Sequence, residues 1–166
     1  MSNAVIRPAA EAELPVLAEL KATYVRTCYD GFCSADLLSR IGGDTYRDEF
    51  ETWLRSPDHR VDVLERDGVI TSYIVYNREA DGMGWILEAR TIRPHDTDAY
   101  RMLLDRAVSQ MREMGCTAIH TWLLRSNYRK RFLYESFGFR ASGERRHDDF
   151  IGESAEMVHY VYPIDG

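Results

Sequence analysis

The sequence predicts an α/β fold: one mixed, mostly antiparallel central sheet with helices on both faces. Three observations carry this. The apolar period changes from helical to alternating near residue 60. Two alternating runs, "RVDVLER" and "VITSYIVYNR", flank Asp67-Gly68, a dipeptide that accepts positive φ and so closes a tight hairpin. Further on, the strand "GWILEARTI" is followed by a long amphipathic helix and the strand "AIHTWLL". A strand–helix–strand unit of that length joins parallel neighbours through a right-handed crossover, and helices then cover both faces.

At 166 residues the chain fits a single domain, 1–166, and a domain of this size buries roughly two-thirds of its unfolded surface. No repeat, low-complexity tract or linker divides it. Hydrophobic residues are 45% and charged residues 29%, the balance of an ordinary globular domain. A formal charge of −6 argues against a nucleic-acid partner held through its phosphates; it favours cationic partners by long-range steering. Cys28, Cys33 and Cys116 are odd in number, and "CYDGFC" has no second pair to complete a metal site or disulfide framework. Free thiols in a reducing compartment are expected, and no metal. The opening "MSNAVIRPAAEAEL" has neither a basic stretch nor the apolar core of a leader, and no apolar run approaches membrane-spanning length. The expectation is a cytoplasmic protein with neither membrane nor nucleic acid as partner.

The elements follow in order. "AVIRPA" is a short strand ended by Pro8. In "AEAELPVLAELKATYVRTC", Leu14, Leu17, Leu20 and Tyr24 mark one helical face, with Pro15 in the first turn, where its missing N–H costs least. Ser34 and Asp44 are expected to cap two shorter helices, the second carrying Tyr46, Phe50, Trp53 and Leu54 on its packing face. The hairpin comes next, then "GWILEARTI", set off by "ADGMG". "DAYRMLLDRAVSQMREMG" is the clearest helix: Ala99, Leu103, Ala107, Met111 and Met114 form its buried stripe and Gly115 ends it. After the strand "AIHTWLL", "NYRKRFLYESF" is a helix stopped at Gly138, and "RASGERR" and "AEMVHYVYPI" are a final strand pair.

Ligands of open sheets tend to bind beyond the carboxyl ends of parallel strands. That places a site near Thr91 to Pro94 and Leu124 to Asn127. Tyr134 lies about two turns into the helix that begins there. It is either a core aromatic with a surface hydroxyl or a phenol offered to a departing anion. In "WILEARTI", alternation puts Ile86, Glu88, Arg90 and Ile92 on one face and Trp85, Leu87, Ala89 and Thr91 on the other, although a central strand should be almost wholly apolar. Glu88 and Arg90 stand about 7 Å apart along the strand. Either they form a structural pair, or Glu88 faces a cleft as general base for an amine, a role that a neighbouring cation weakens. His120 reads as a hydrogen-bonded core histidine; His59, His147 and His159 have no ligand spacing. "GERRHDD" reads as a solvated hairpin tip. There is no Ser-His-Asp order, G-x-S-x-G or Walker loop.

The order of elements, together with "NYRKRFLYESFGF", resembles the GNAT superfamily of acyl-CoA-dependent N-acyltransferases. That family's late signature, N-x-x-A-x-x-F-Y-x-x-x-G-F, is met at Asn127, Tyr134, Gly138 and Phe139, with Leu133 for the phenylalanine and Lys130 for the usual small residue. Ile92-Arg93-Pro94 stands where the family closes its fourth strand with V-x-P. "IRPA", "ERDGVITSYIVY", "MGCTAIHTWLL" and "GFRASGERR" fall in family order, so the resemblance covers essentially the whole chain. It implies a splayed parallel strand pair that admits the pantetheine arm of acetyl-CoA like an extra strand. Backbone groups near Ile92 would hold the arm and polarise the thioester. Asn127 would bond the pantetheine, and Tyr134 would protonate the leaving thiolate. The amine would attack directly, after Glu88 or an ordered water takes its proton. The acceptor is open between small-molecule and peptide amines, with Tyr24, Tyr29, Phe32 and Trp53 suggesting an aromatic wall. A homodimer is equally open.

The resemblance breaks at the glycine-rich loop R/Q-x-x-G-x-G/A, whose N–H groups cradle the pyrophosphate in the family. Here the interval is "HDTDAYRM", without a glycine: His95 replaces Arg or Gln, Asp98 and Tyr100 replace the small residues, and Ala99 and Arg101 accompany them. Asp96 and Asp98 would cap the following helix and repel an anion. The implied cofactor-binding set is Ile92, Arg93, Asp98, Ala99, Tyr100, Arg101, Asn127 and Lys130, with Arg93, Arg101 or Lys130 gripping phosphates in place of the loop. Two functions stand open. One is an N-acyltransferase moving an acetyl or other short acyl group to a primary amine. The other is a GNAT-fold ligand-binding or interaction protein that has lost acyl-CoA.

Overall fold

The computed structural model describes residues 3–29, 33–93, 95–150 and 153–164. Seven strands, β1 (Ala4–Pro8), β2 (His59–Arg66), β3 (Val69–Arg78), β4 (Met83–Thr91), β5 (Ala118–Leu124), β6 (Arg140–Phe150) and β7 (Glu153–Pro163), form one sheet. Its order is β1-β2-β3-β4-β5-β7-β6, and every neighbouring pair is antiparallel except β4 with β5. The helices are α1 (Leu14–Cys28), α2 (Ala35–Ser39), α3 (Arg47–Arg55), α4 (Thr97–Glu113) and α5 (Tyr128–Phe137). The predicted mixed sheet is therefore present, with α4 as the crossover between its parallel strands. Among the described residues no helix is long and apolar enough to cross a membrane.

Alternation along the central strands builds two cores at once. Val61, Val63, Tyr73 and Val75 pack with Leu14 and Leu17 of α1 and Phe50 of α3. Their neighbours Leu64, Ile74 and Tyr76 turn the other way, against Ala99, Leu103, Ala107 and Met111 of α4 and Leu133 and Tyr134 of α5. Those four α4 residues are fully buried and Met114 packs at their edge, so the sequence stripe is the packing stripe. Each large side chain sealed this way contributes roughly 1.5–3 kcal/mol. The β2–β3 turn takes positive φ at both Asp67 and Gly68, as its dipeptide requires.

Three expectations need correction. Asp44 does not cap α3. Thr45 and Gly42 close a turn on each other, the Thr45 N–H donating to the Gly42 carbonyl and the Gly42 N–H to Thr45 Oγ1, so the helix starts only at Arg47. "GERRHDD" is not a hairpin tip but lies within β6, where Arg145, Arg146, His147 and Asp148 pair with Val158, Met157, Glu156 and Ala155. Its charges sit on an edge strand, which water reaches as readily as a turn. The third concerns β4. Ile86 and Glu88 stand opposite the adjacent residues Tyr76 and Val75, which leaves Leu87 as a β-bulge. The extra residue reverses the alternation, so Ile86 shares the α4 core with Ala89 while Glu88 reaches α1.

Gly84 is where β4 runs closest to α4. A Cβ there would lie 2.4 Å from Met111 Sδ and 3.3 Å from both the Ala118 carbonyl oxygen and Cys116 Sγ. Met111 can yield, but the carbonyl cannot. Gly84→Ala is expected to destabilise the fold by about 1–3 kcal/mol through overpacking, read as a lower urea midpoint at unchanged slope.

Candidate active site in the gap between β4 and β5

Parallel pairing between β4 and β5 runs from Met83 opposite Ala118 to Ile86 opposite Thr121 and ends there. Thr121 Oγ1 donates to the Ile86 carbonyl at 2.9 Å, just before the strands part. The bulge at Leu87 follows immediately, and a bulge bends its strand. β4 continues to Thr91 and β5 to Leu124, with no ladder pairing between them among the described residues. The parallel pair is thus splayed. Ile92 does not face the opening: its N–H donates to the Thr71 carbonyl of β3 at 2.8 Å. Because backbone groups alternate direction along an antiparallel ladder, Ala89 and Thr91 present theirs to the gap.

Lys130 occupies this opening. Asn127 caps α5, its Oδ1 accepting the Lys130 N–H at 3.2 Å, and this sets the first turn of the helix beside β4. The Lys130 Nζ donates to the Ala89 carbonyl at 2.7 Å. It lies 5.4 Å from the centre of the Tyr100 ring, 5.8 Å from that of Tyr24 and 6.0 Å from that of Tyr134. Only 8% of the residue is exposed. Burial first, and then the charge of Arg90, holds its pKa well below the usual lysine range.

Glu88 is committed on both oxygens. Lys21 of α1 donates to Oε1, and the Tyr73 hydroxyl donates to Oε2 at 2.7 Å. Lys21 in turn holds Glu49. Burial pushes the Glu88 carboxyl up, but the charges of Lys21 and Arg90 outweigh it and hold it below its usual range. A carboxylate so engaged is an anchor for cations before it is a base. The Arg90 Nη2 stands 4.0 Å from Glu88 Oε1, and its guanidinium rests over the Tyr24 ring at 4.9 Å.

Two cavities meet at Lys130. The larger, about 400 Å³, is lined by Trp85, Glu88, Arg90, Trp122 and Tyr134, among others. The second, about 360 Å³, is lined by Tyr24, Cys28, His95, Tyr100, Ser126 and Arg129, among others. Tyr29, Leu124, Asn127 and Lys130 line both, so they form the wall between them. Tyr134 is a core aromatic that also lines a cavity. Its ring packs on Phe139 at 5.2 Å and is 1% exposed, yet the residue lines the larger cavity. Burial raises its pKa far above the ordinary phenol value, so the hydroxyl carries its proton at neutral pH.

The first turn of α4 carries carboxylates in place of a glycine loop. Asp96 caps α4, Oδ1 accepting the Ala99 N–H at 3.0 Å, while Oδ2 receives Arg66 at 3.4 Å. Asp98 adds a second carboxylate to the first turn, so this helix terminus is already supplied with negative charge. Ala99 is fully buried; Tyr100 lines the second cavity; the exposed Arg93 and Arg101 line neither. Arg129 does, donating from Nη1 to His95 Nε2 at 3.0 Å. Sequence reasoning passed over Arg129 because it is one of three cations in "RKR", and only the helix phase distinguishes them. It also missed Trp85 and Trp122 as cavity walls, whereas Trp53 packs over Lys21 instead. Phe32 and Pro94 lie outside the described residues. His120 is hydrogen-bonded as expected, Nδ1 to Nε2 of His159 at 2.9 Å.

A buried amine with a depressed pKa binds its proton more weakly in the folded than in the unfolded chain. Between the depressed value and the ordinary lysine value the unfolded state holds more protons, so folding stability rises with pH. Wild type should therefore gain on Lys130→Met as pH is raised toward the ordinary lysine range of about 10. The slope should approach about 1.4 kcal/mol per pH unit, measured by urea unfolding of both proteins across the series.

No protein-family model matches the chain, and no curated protein matches its sequence. Solved structures match its fold. An N-acetyltransferase from Thermoplasma acidophilum, solved with coenzyme A, superposes with a TM-score of 0.74 at 16% identity, over 98% of this chain and 99% of that one. An N-acetyltransferase from Staphylococcus aureus gives 0.75 at 16% identity, over 98% and 99%. A GNAT-family acetyltransferase from Streptococcus pneumoniae gives 0.69 at 16% identity, over 98% and 100%. At such identities the likeness is one of architecture, and it extends over the whole chain. The chain has the fold of the GNAT acetyltransferases.

Proposed function

We propose that the protein is an N-acyltransferase that moves an acetyl or other short acyl group from coenzyme A to a primary amine by direct attack. The observation that carries this reading is the stretch of β4 beyond Ile86 that pairs with β3 but no longer with β5, with the Tyr134 phenol at the adjoining cavity. An extended pantetheine arm has ladder groups to bond there. It would enter through the second cavity, past Arg129 and His95, and would exchange its own amide for Lys130 at the Ala89 carbonyl. Arg129 would replace the missing glycine loop as a phosphate contact, because Asp96 fills the helix terminus.

The amine approaches through the larger cavity. Its nitrogen bonds to the thioester carbonyl carbon, the C–S bond breaks, and sulfur takes the proton of Tyr134. The surplus proton of the amine passes to water and returns by that route to the phenolate. Glu88 serves this scheme by fixing Lys21, Tyr73 and the nearby Arg90.

Calorimetric titration with acetyl-CoA tests the donor half: no heat and no thermal stabilisation at millimolar ligand would leave the non-catalytic alternative. For the chemistry, Tyr134→Phe should lower turnover by about 100-fold or more while acetyl-CoA affinity stays within about twofold. Unchanged turnover would remove Tyr134 from the acid role.

A further inference from the structure

Arg90 is a buried guanidinium with fewer acceptors than donors. Its side chain is 13% exposed. Nη1 donates to the Ala89 carbonyl at 3.3 Å, and Nε is buried without a partner. Among the described residues the nearest carboxylate oxygen, Glu88 Oε1 at 4.0 Å, already accepts from Lys21. Lys130, beside it in the cavity wall, has three donors and a single acceptor, the same Ala89 carbonyl. The other charged groups lining this cavity are Glu79, Arg146 and Asp148, and Arg146 is paired to Asp148 at 2.9 Å. The end of the cavity at the gap therefore holds a guanidinium and an amine with unspent donors, and the described carboxylate beside them, Glu88, is already bonded to Lys21 and Tyr73. A planar guanidinium fork in such a pocket matches the two oxygens of a carboxylate.

We propose that the acceptor bound in the larger cavity is an amine that also carries a carboxylate, gripped by Arg90 with Lys130 beside it, as in a free amino acid. The amine half rests on the acyl-transfer reading; the carboxylate half does not. Arg90 neighbours Ala89, the gap-facing residue of β4, so a carboxylate held there leaves an α-amine, two bonds from the carboxyl carbon, near the thioester. Tyr29, Trp85, Trp122 and Met157 line the same cavity, and they suit an apolar or aromatic side chain. A polyamine would set a cation against Arg90 and is disfavoured by the same charges.

The test compares twins that share amine and side chain and differ in the carboxylate: L-phenylalanine with phenethylamine, and L-leucine with 3-methylbutylamine. Each is titrated into the intact protein without acyl-CoA, by calorimetry and thermal shift. In at least one pair the amino acid should bind about tenfold tighter or better. Arg90→Met should abolish that preference and Arg90→Lys should retain part of it. Twins that bind equally, an amine that binds tighter, no binding in either pair, or a preference that survives Arg90→Met would each overturn the proposal. If Arg90→Met does not fold, the wild-type comparison decides alone, and Lys130→Met should narrow the preference. Amino-acid binding without transfer from acetyl-CoA would leave this inference standing and remove the transferase reading.

Discussion

Val75 and Tyr76 are consecutive in β3, but the β4 residues opposite them, Glu88 and Ile86, are not. Leu87 has no partner across the strand, so the backbone bends at that point, and the bend coincides with the last residue of β4 that pairs with β5. Everything else at the site depends on this displacement. Without it, the ladder would run on to Thr91 and Leu124, the Ala89 carbonyl would be spent on β5, and Lys130 would have nowhere to insert. A buried carbonyl left unbonded costs about 1–3 kcal/mol; the Lys130 ammonium removes that cost but brings a desolvated charge in exchange. The two penalties offset each other only while nothing better occupies the gap.

The charge pattern is inverted relative to the whole chain. The protein is acidic overall, with a formal charge of −6, yet the interior beside the gap gathers Lys21, Arg90 and Lys130 around Glu88. Buried ions hold their place only when each is paired or hydrogen-bonded, and removing one partner from such a group costs about 3–5 kcal/mol. Tyrosines from several elements complete the arrangement: Tyr73 bonds Glu88, Tyr24 lies beneath Arg90, and Tyr24, Tyr100 and Tyr134 surround Lys130. Their rings accept cations on their faces without adding negative charge. The result is a polar, charged cluster within a sheet whose other buried positions are mostly apolar.

How far the sequence reaches is clear from particular residues. Asp67-Gly68, the Ala99–Met111 stripe and Gly138 depend on local backbone preference or period, and each appears where its residue types require. The resemblance led to Asn127 and Tyr134, and both line the larger cavity. The bulge was hidden because one extra residue in β4 leaves no mark in composition; only pairing with β3 reveals it, and that reversed the face assigned to Ile86. The sequence offers Lys130 as a phosphate contact, and its burial escapes that reading because it depends on a gap in a different element. The charged run in β6 read as a turn for a similar reason. Edge strands and turns are both wet, so polarity does not tell them apart.

The sheet is bounded by β1, a five-residue strand ending in Pro8, and by β6, with exposed Arg145, Arg146, His147 and Asp149 and an irregular register between Ala141 and Arg145. Short length, proline, charge and irregularity all discourage a foreign strand from docking on an outer rim. Both rims thus resist an added strand, while among the described residues the β5-facing edge of β4 beyond Ile86 stands without a ladder partner in the middle of the sheet.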